Sequence, residues 1–154
     1  MVVLGISVGA RRTGIAIIAN KELIIWQTLT INSITETHQQ VLSRYVAQFR
    51  VSVVIIKLPP DTHITKRIAD LLQSLITLFQ QFGCAIHRRT DKSIKQALPT
   101  IKNKEDLIDF TTNQYPDLIP EKGKEQSNKN TYYIKIFEAV LIAHQYLLSD
   151  SPHY

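Results

Sequence analysis

The sequence predicts an α/β fold, a mixed five-stranded sheet made of a three-stranded antiparallel meander plus parallel strands, with helices on both faces. Three observations predict it. Short β-branched runs separated by turn residues open the chain, two further apolar runs each follow a segment of helical periodicity, and the remainder is mostly helical in spacing. With 154 residues, 44% of them apolar, and only five glycines and six prolines, one core spanning residues 1–150 is expected.

Residues 2–8, 13–19 and 22–31 read as the meander, because β-branched residues favour strands and the intervening 9–12 and 20–21 carry turn residues. Ser33 with Glu36 three residues later forms a capping-box pattern, and Ile34, Val41, Leu42, Tyr45, Val46 and Phe49 then recur at helical spacing. Residues 52–58 are a continuous apolar run, which suits a strand covered on both faces and ended by Pro59 and Pro60. A second helix is expected from about 62 to 82, with Gly83 as its stop, followed by a short strand over 84–88. Helices near 93–98, 104–115 and 131–148 complete the chain. The polar stretch 116–130 has almost nothing apolar to anchor it and is expected to be a flexible loop.

A formal charge of +5 favours polyanionic partners. Arg88, Arg89, Lys92, Lys95, Lys102 and Lys104 cluster in sequence, and Arg11 and Arg12 sit on the first turn, so together they form a candidate phosphate-tracking surface, with an ordinary solvated basic face as the alternative. Tyr132 and Tyr133 are candidate base-stacking platforms or core residues. The five histidines, at 38, 63, 87, 144 and 153, have no spacing that suggests a metal site, and the lone Cys84 reads as a buried thiol in a reducing compartment. Asp61 and His63 read as a polar cap before the second helix. Without an apolar run of membrane-spanning length or a leader-like opening, a cytoplasmic protein with no membrane partner is expected.

The stretch LGISVGARRTGIAII, residues 4–18, resembles the first motif of RuvC-type Holliday-junction resolvases and their YqgF-like relatives, members of the ribonuclease H-like superfamily. SVVIIKLP at 52–59, RTDKSIKQAL at 89–98, NKEDL at 103–107 and YIKIFEAVLIAH at 133–144 resemble later segments of the same family in the same order. The resemblance implies a ribonuclease H-like fold and a site where four carboxylates hold two Mg²⁺ ions. It maps those four positions to Ser7, Lys57, Lys135 and Glu138.

Hard cations need anionic oxygen ligands, and two lysines invert the charge of such a site. The expectation that follows is a non-enzyme: a catalytically inactive relative, without Mg²⁺ or another cofactor, that binds structured nucleic acid, DNA more than RNA. Arg11, Arg12, Lys57, Arg88, Arg89, Lys92, Lys95, Lys102 and Lys104 are its candidate contacts. Lys57, Lys135 and Glu138 could share an internal ion-pair network, Lys135 and Glu138 being three apart on one helix face; alternatively the lysines meet solvent, or a phosphate. Two other readings stay open. One is a protein-interaction scaffold with an unknown partner or a second copy of the chain; the other is a residual metal-dependent junction endonuclease that recruits Glu138, Asp91 or Asp61.

Overall fold

The computed structural model describes residues 1–30, 35–127 and 133–149. Its sheet has five strands, β1 (Val2–Val8), β2 (Arg12–Ala19), β3 (Glu22–Thr30), β4 (Val53–Lys57) and β5 (Ala85–Arg89), in the order β3-β2-β1-β4-β5. The meander is antiparallel, while β4 lies parallel to β1 and β5 parallel to β4. Six α-helices accompany it: α1 (Thr35–Phe49), α2 (Lys66–Gln81), α3 (Asp91–Ala97), α4 (Lys104–Gln114), α5 (Ile119–Ser127) and α6 (Ile134–Ser149). No helix among the described residues is long and apolar enough to cross a membrane.

Side chains alternate across a strand, so each of the inner strands feeds two cores. Leu4, Ile6 and Val8, with Ile15, Ile17, Val54 and Ile56, face α1 and α2, where Leu42, Leu75 and Phe79 close over them. Val3, Ala16, Ile18, Val53 and Ile55 face the other way and pack on α6 through Phe137, Val140 and Ala143. On that second face glycine is required at two places. A methyl on Gly5 would collide with the carbonyl oxygen of Ala139, and one on Gly14 with the carbonyl of Lys135. Because backbone cannot swing aside as a side chain can, these two glycines let α6 lie directly on β1 and β2.

Local chemistry explains the ends of several helices. Thr65 accepts the Ile68 N–H and caps α2, so the cap belongs to Thr65, while Asp61–His63 form a separate 3-10 turn. At its far end Gly83 takes φ +75°, and its N–H bonds the Gln80 carbonyl. Thr90 and Ser93 make a reciprocal capping box at the start of α3, and Asn103 caps α4 by accepting the Asp106 N–H. The capping pattern expected at Ser33 lies outside the described residues.

One expectation is corrected. The stretch 116–130, expected to be a flexible loop, is a 3-10 turn over Pro116–Leu118 followed by α5. Leu118 is fully buried and anchors the turn, and the carboxylate of Glu125 is held by Lys104 at 2.7 Å. Its last three residues, 128–130, lie outside the described part.

Candidate functional site

The parallel pairing of β1 with β4 sets Ser7 opposite Lys57, both near the strands' C-terminal ends and both on the α6 face. Ser7 is fully buried and Lys57 is 4% exposed. Because α6 sits so low on Gly5 and Gly14, its first turns bring Lys135 and Glu138 down to the same point. The four positions singled out by the resemblance therefore converge.

They converge as an ion-pair network. Glu138 Oε2 lies 3.0 Å from Lys57 Nζ, and Glu138 Oε1 lies 3.0 Å from Lys135 Nζ while accepting a 3.1 Å hydrogen bond from Ser7 Oγ. Lys57 also meets Asp91 Oδ1 at 3.0 Å. Burial is the largest single influence on Glu138 and pushes its pKa up, but Lys135 and Lys57 together outweigh it and hold the carboxyl below its ordinary range. Burial likewise pulls Lys57 down, and Glu138 with Asp91 more than offset it, so the ammonium titrates above its usual value. Both lysines are held by carboxylates.

Asp91, which the sequence offered only as an acid recruited by a residual endonuclease and not as a partner of Lys57, is the fifth member of the network. β5 pairs with β4 in a register that sets Arg89 beside Lys57, and Asp91, in the first turn of α3, then reaches back to the lysine. The signal was available: a carboxylate two residues beyond a strand that adjoins a lysine-tipped strand. Asp61, the other acid considered, forms its own 3-10 turn.

The family resemblance implies two divalent cations, and the residues gathered here do not fit them. Two metals need several carboxylates free to converge on them. In this cluster each oxygen of Glu138 already faces an ammonium group, and the only other carboxylate, Asp91, is half-exposed and paired with Lys57. Among the described residues no group of three or more His, Cys, Asp or Glu side chains is gathered as a metal site.

The expected basic surface divides. Lys57 is buried and leaves it. Arg88, Lys92, Lys95, Lys102 and Lys104 are exposed and Arg89 is half-buried; Arg88 and Arg89 end β5, with Arg89 beside Lys57 and Arg88 paired with Ile56 on the opposite, α1–α2 face, and the others lie on α3, α4 and the segment between. Lys104 is tied to Glu125 at 2.7 Å. Arg11 and Arg12 lie across the network on the β1–β2 turn, where Gly9 N–H bonds the Arg12 carbonyl. Tyr133 is half-buried against the core, its N–H held by Glu125 at 2.7 Å and its ring under Lys124 at 5.7 Å; Tyr132 lies outside the described residues.

His38, His144 and His87 hold structural places. His38 is buried on α1 with neither ring nitrogen hydrogen-bonded among the described residues, and burial lowers its pKa. His144 Nδ1 shares a 2.8 Å hydrogen bond with the Tyr115 hydroxyl, and its pKa is lowered by burial too. His87 packs on the Tyr146 ring at 5.0 Å.

No protein-family model matches the sequence, and no curated protein matches it. Solved structures do match. Thermus thermophilus RuvC in complex with a Holliday-junction substrate superimposes with a TM-score of 0.73 at 15% identity, covering 98% of each chain. A second T. thermophilus RuvC structure gives 0.73 at 14% identity, over 97% of this chain and 96% of that one. The Fowlpox virus resolvase, solved with its substrate Holliday-junction DNA, gives 0.61 at 16% identity over 99% and 100%. The chain therefore has the RuvC-like, ribonuclease H-like fold that the sequence suggested. One expectation falls with this finding: these neighbours are resolvases described with substrates, and the assignment of the chain as a non-enzyme is withdrawn.

Proposed function

We propose that this protein binds branched DNA, with four-way junctions as the preferred form. The observation that carries the reading is the placement of exposed cations: Lys95 and Lys102 border the ion-pair network, Lys92 precedes them on α3, and Arg88 ends β5 on the opposite face of the sheet, on a fold shared end to end with a junction-bound RuvC. Guanidinium and ammonium groups at the rim contact phosphates, while the buried lysines hold the strands and α6 in register. A pair of chains related by a two-fold axis would suit the symmetry of a junction.

Binding on this reading rests on the protein's own cations and needs no resident Mg²⁺, so chelation leaves the affinity unchanged. The test uses fluorescent four-way-junction, duplex and single-stranded DNA, with matching RNAs, across salt concentrations and with Mg²⁺ or a chelator. Junction binding should exceed duplex binding and weaken steeply with salt. The double variant Arg88→Glu, Lys92→Glu should lower the slope of log K against log salt by about 2, roughly one phosphate contact each. Indifference to every nucleic acid would overturn the reading and point to a protein partner. Product formation with Mg²⁺ is followed in the same reactions.

A further inference from the structure

Beside the ion-pair network lies a cavity of about 310 Å³, at the small end of the range of about 300–1,000 Å³ usual for small-molecule sites. Its walls are aliphatic and come from three helices: Ile94 on α3, Leu107 on α4, and Ile134 with Leu141 on α6. Ile94, Leu107 and Leu141 are each less than 10% exposed, so these walls are fixed by packing in the core. Ile101, from the segment joining α3 to α4, forms part of the rim.

The charges around this space are unequal in how they are met. Lys57 is answered by Asp91 and Glu138, and Lys104 by Glu125. Lys95 and Lys102 also line the cavity, both exposed, and neither ammonium group is paired with a carboxylate among the described residues, although the Lys102 backbone N–H donates to Asp106 Oδ2 at 3.0 Å. The cavity thus joins an apolar slot, two unanswered ammonium groups at the mouth, and two carboxylates whose remaining lone pairs can accept hydrogen bonds.

We propose that this cavity is a binding site for a free nucleoside monophosphate. The aliphatic walls take the flat ring, Lys95 and Lys102 take the phosphate, and Asp91 or Glu138 accepts from an amino group on the ring edge. A bare anion satisfies only the lysines, and an uncharged heterocycle only the walls. The site shares Lys95 and Lys102 with the branched-DNA reading and differs from it in the aliphatic slot behind them, which junction binding does not use.

The experiment is thermal unfolding of the full chain with adenosine, guanosine, cytidine and uridine monophosphates, adenosine, and inorganic phosphate. At a hundredfold excess over Kd, the preferred monophosphate should raise Tm by roughly 5 to 10 °C, with adenosine and phosphate each giving far less. Ile101→Trp, which intrudes on the cavity from its rim, should abolish the shift while leaving junction affinity unchanged. Lys95→Ala with Lys102→Ala should reduce nucleotide affinity at least tenfold with the fold intact, since both side chains are exposed. An equal shift from inorganic phosphate, a shift that survives Ile101→Trp, or no shift with any nucleotide overturns the assignment. Loss of junction binding with the nucleotide shift retained would overturn the branched-DNA reading alone.

Discussion

The two faces of the sheet are built from alternate residues of the same strands, yet they solve different problems. Toward α1 and α2 the strands present Leu4, Ile6, Ile15, Ile17, Val54 and Ile56, and stability there comes from aliphatic and aromatic volume. Toward α6 they present Gly5, Ser7, Gly14 and Lys57, and a helix lies close enough for its carboxylate to meet two ammonium groups. The difference teaches that a short approach distance, more than burial itself, decides where this fold can carry charge. Glycine removes the side chains that would hold the helix away, and the space left is too narrow for an unpaired ion to be solvated.

The comparison is broken most severely on the aliphatic face. Phe79→Ala deletes a fully buried ring and should cost about 3 to 5 kcal/mol in chemical denaturation, with no change in salt dependence. On the other face Glu138→Gln leaves Lys135 without its carboxylate and Lys57 with Asp91 alone, and about 2 to 4 kcal/mol is expected, reduced from the fully buried case because the Glu138 side chain keeps 15% of its exposure. Lys57→Met should cost less than Glu138→Gln, since Glu138 retains Lys135 and Asp91 returns to water. If the two lose equal stability, the network is not centred on Glu138.

Acid separates the faces by a smaller effect. The folded state holds the pKa of His38 below the ordinary histidine value of 6.5, so the unfolded chain takes up that proton first, and stability present above pH 6.5 is lost as pH falls below it. His144 acts in the same direction. Glu138 is also depressed, from 4.5, so its contribution is present above that pH and is lost as pH falls further. A stability titration should therefore show two successive losses; His38→Leu should shrink the first and Glu138→Gln should remove the second. The smallest expected change is Ser7→Ala, about 1 kcal/mol, because Glu138 Oε1 keeps Lys135 when the hydroxyl is removed.

Much of this architecture was legible in the sequence, for a physical reason. Short β-branched or continuous apolar runs bounded by turn residues are local signals, and they located the five strands within about two residues of where they lie. Convergence of Ser7, Lys57, Lys135 and Glu138 was legible through the order of motifs, and the three-residue spacing on one helix favoured the pairing of Lys135 with Glu138. The pairing of Asp91 with Lys57 was not legible because it depends on the β4–β5 register, which pairs residues more than thirty positions apart. The helical character of 119–127 was missed for a related reason. Its local composition is polar, and what holds it in place is Leu118 in the core and Glu125 against Lys104, neither visible in a window of neighbours. Non-enzyme status was inferred from residue identity alone, and the company this fold keeps among resolvases overrules it.

The carbonyls received by Gly14 and Gly5 belong to Lys135 and Ala139, four residues apart, which is close to one helical turn. Two such notches make α6 an indexed part, like a rod with evenly spaced teeth: it can lie in its seat or one tooth away, a step of about 6 Å, but not comfortably between. A slip of one tooth would carry Ile134 or Ile142 to the place of Glu138 and strand Lys57 against a hydrocarbon side chain. The ion pairs thereby work as a keyed lock on the helix's longitudinal position, rejecting the misaligned settings that the apolar packing alone would tolerate.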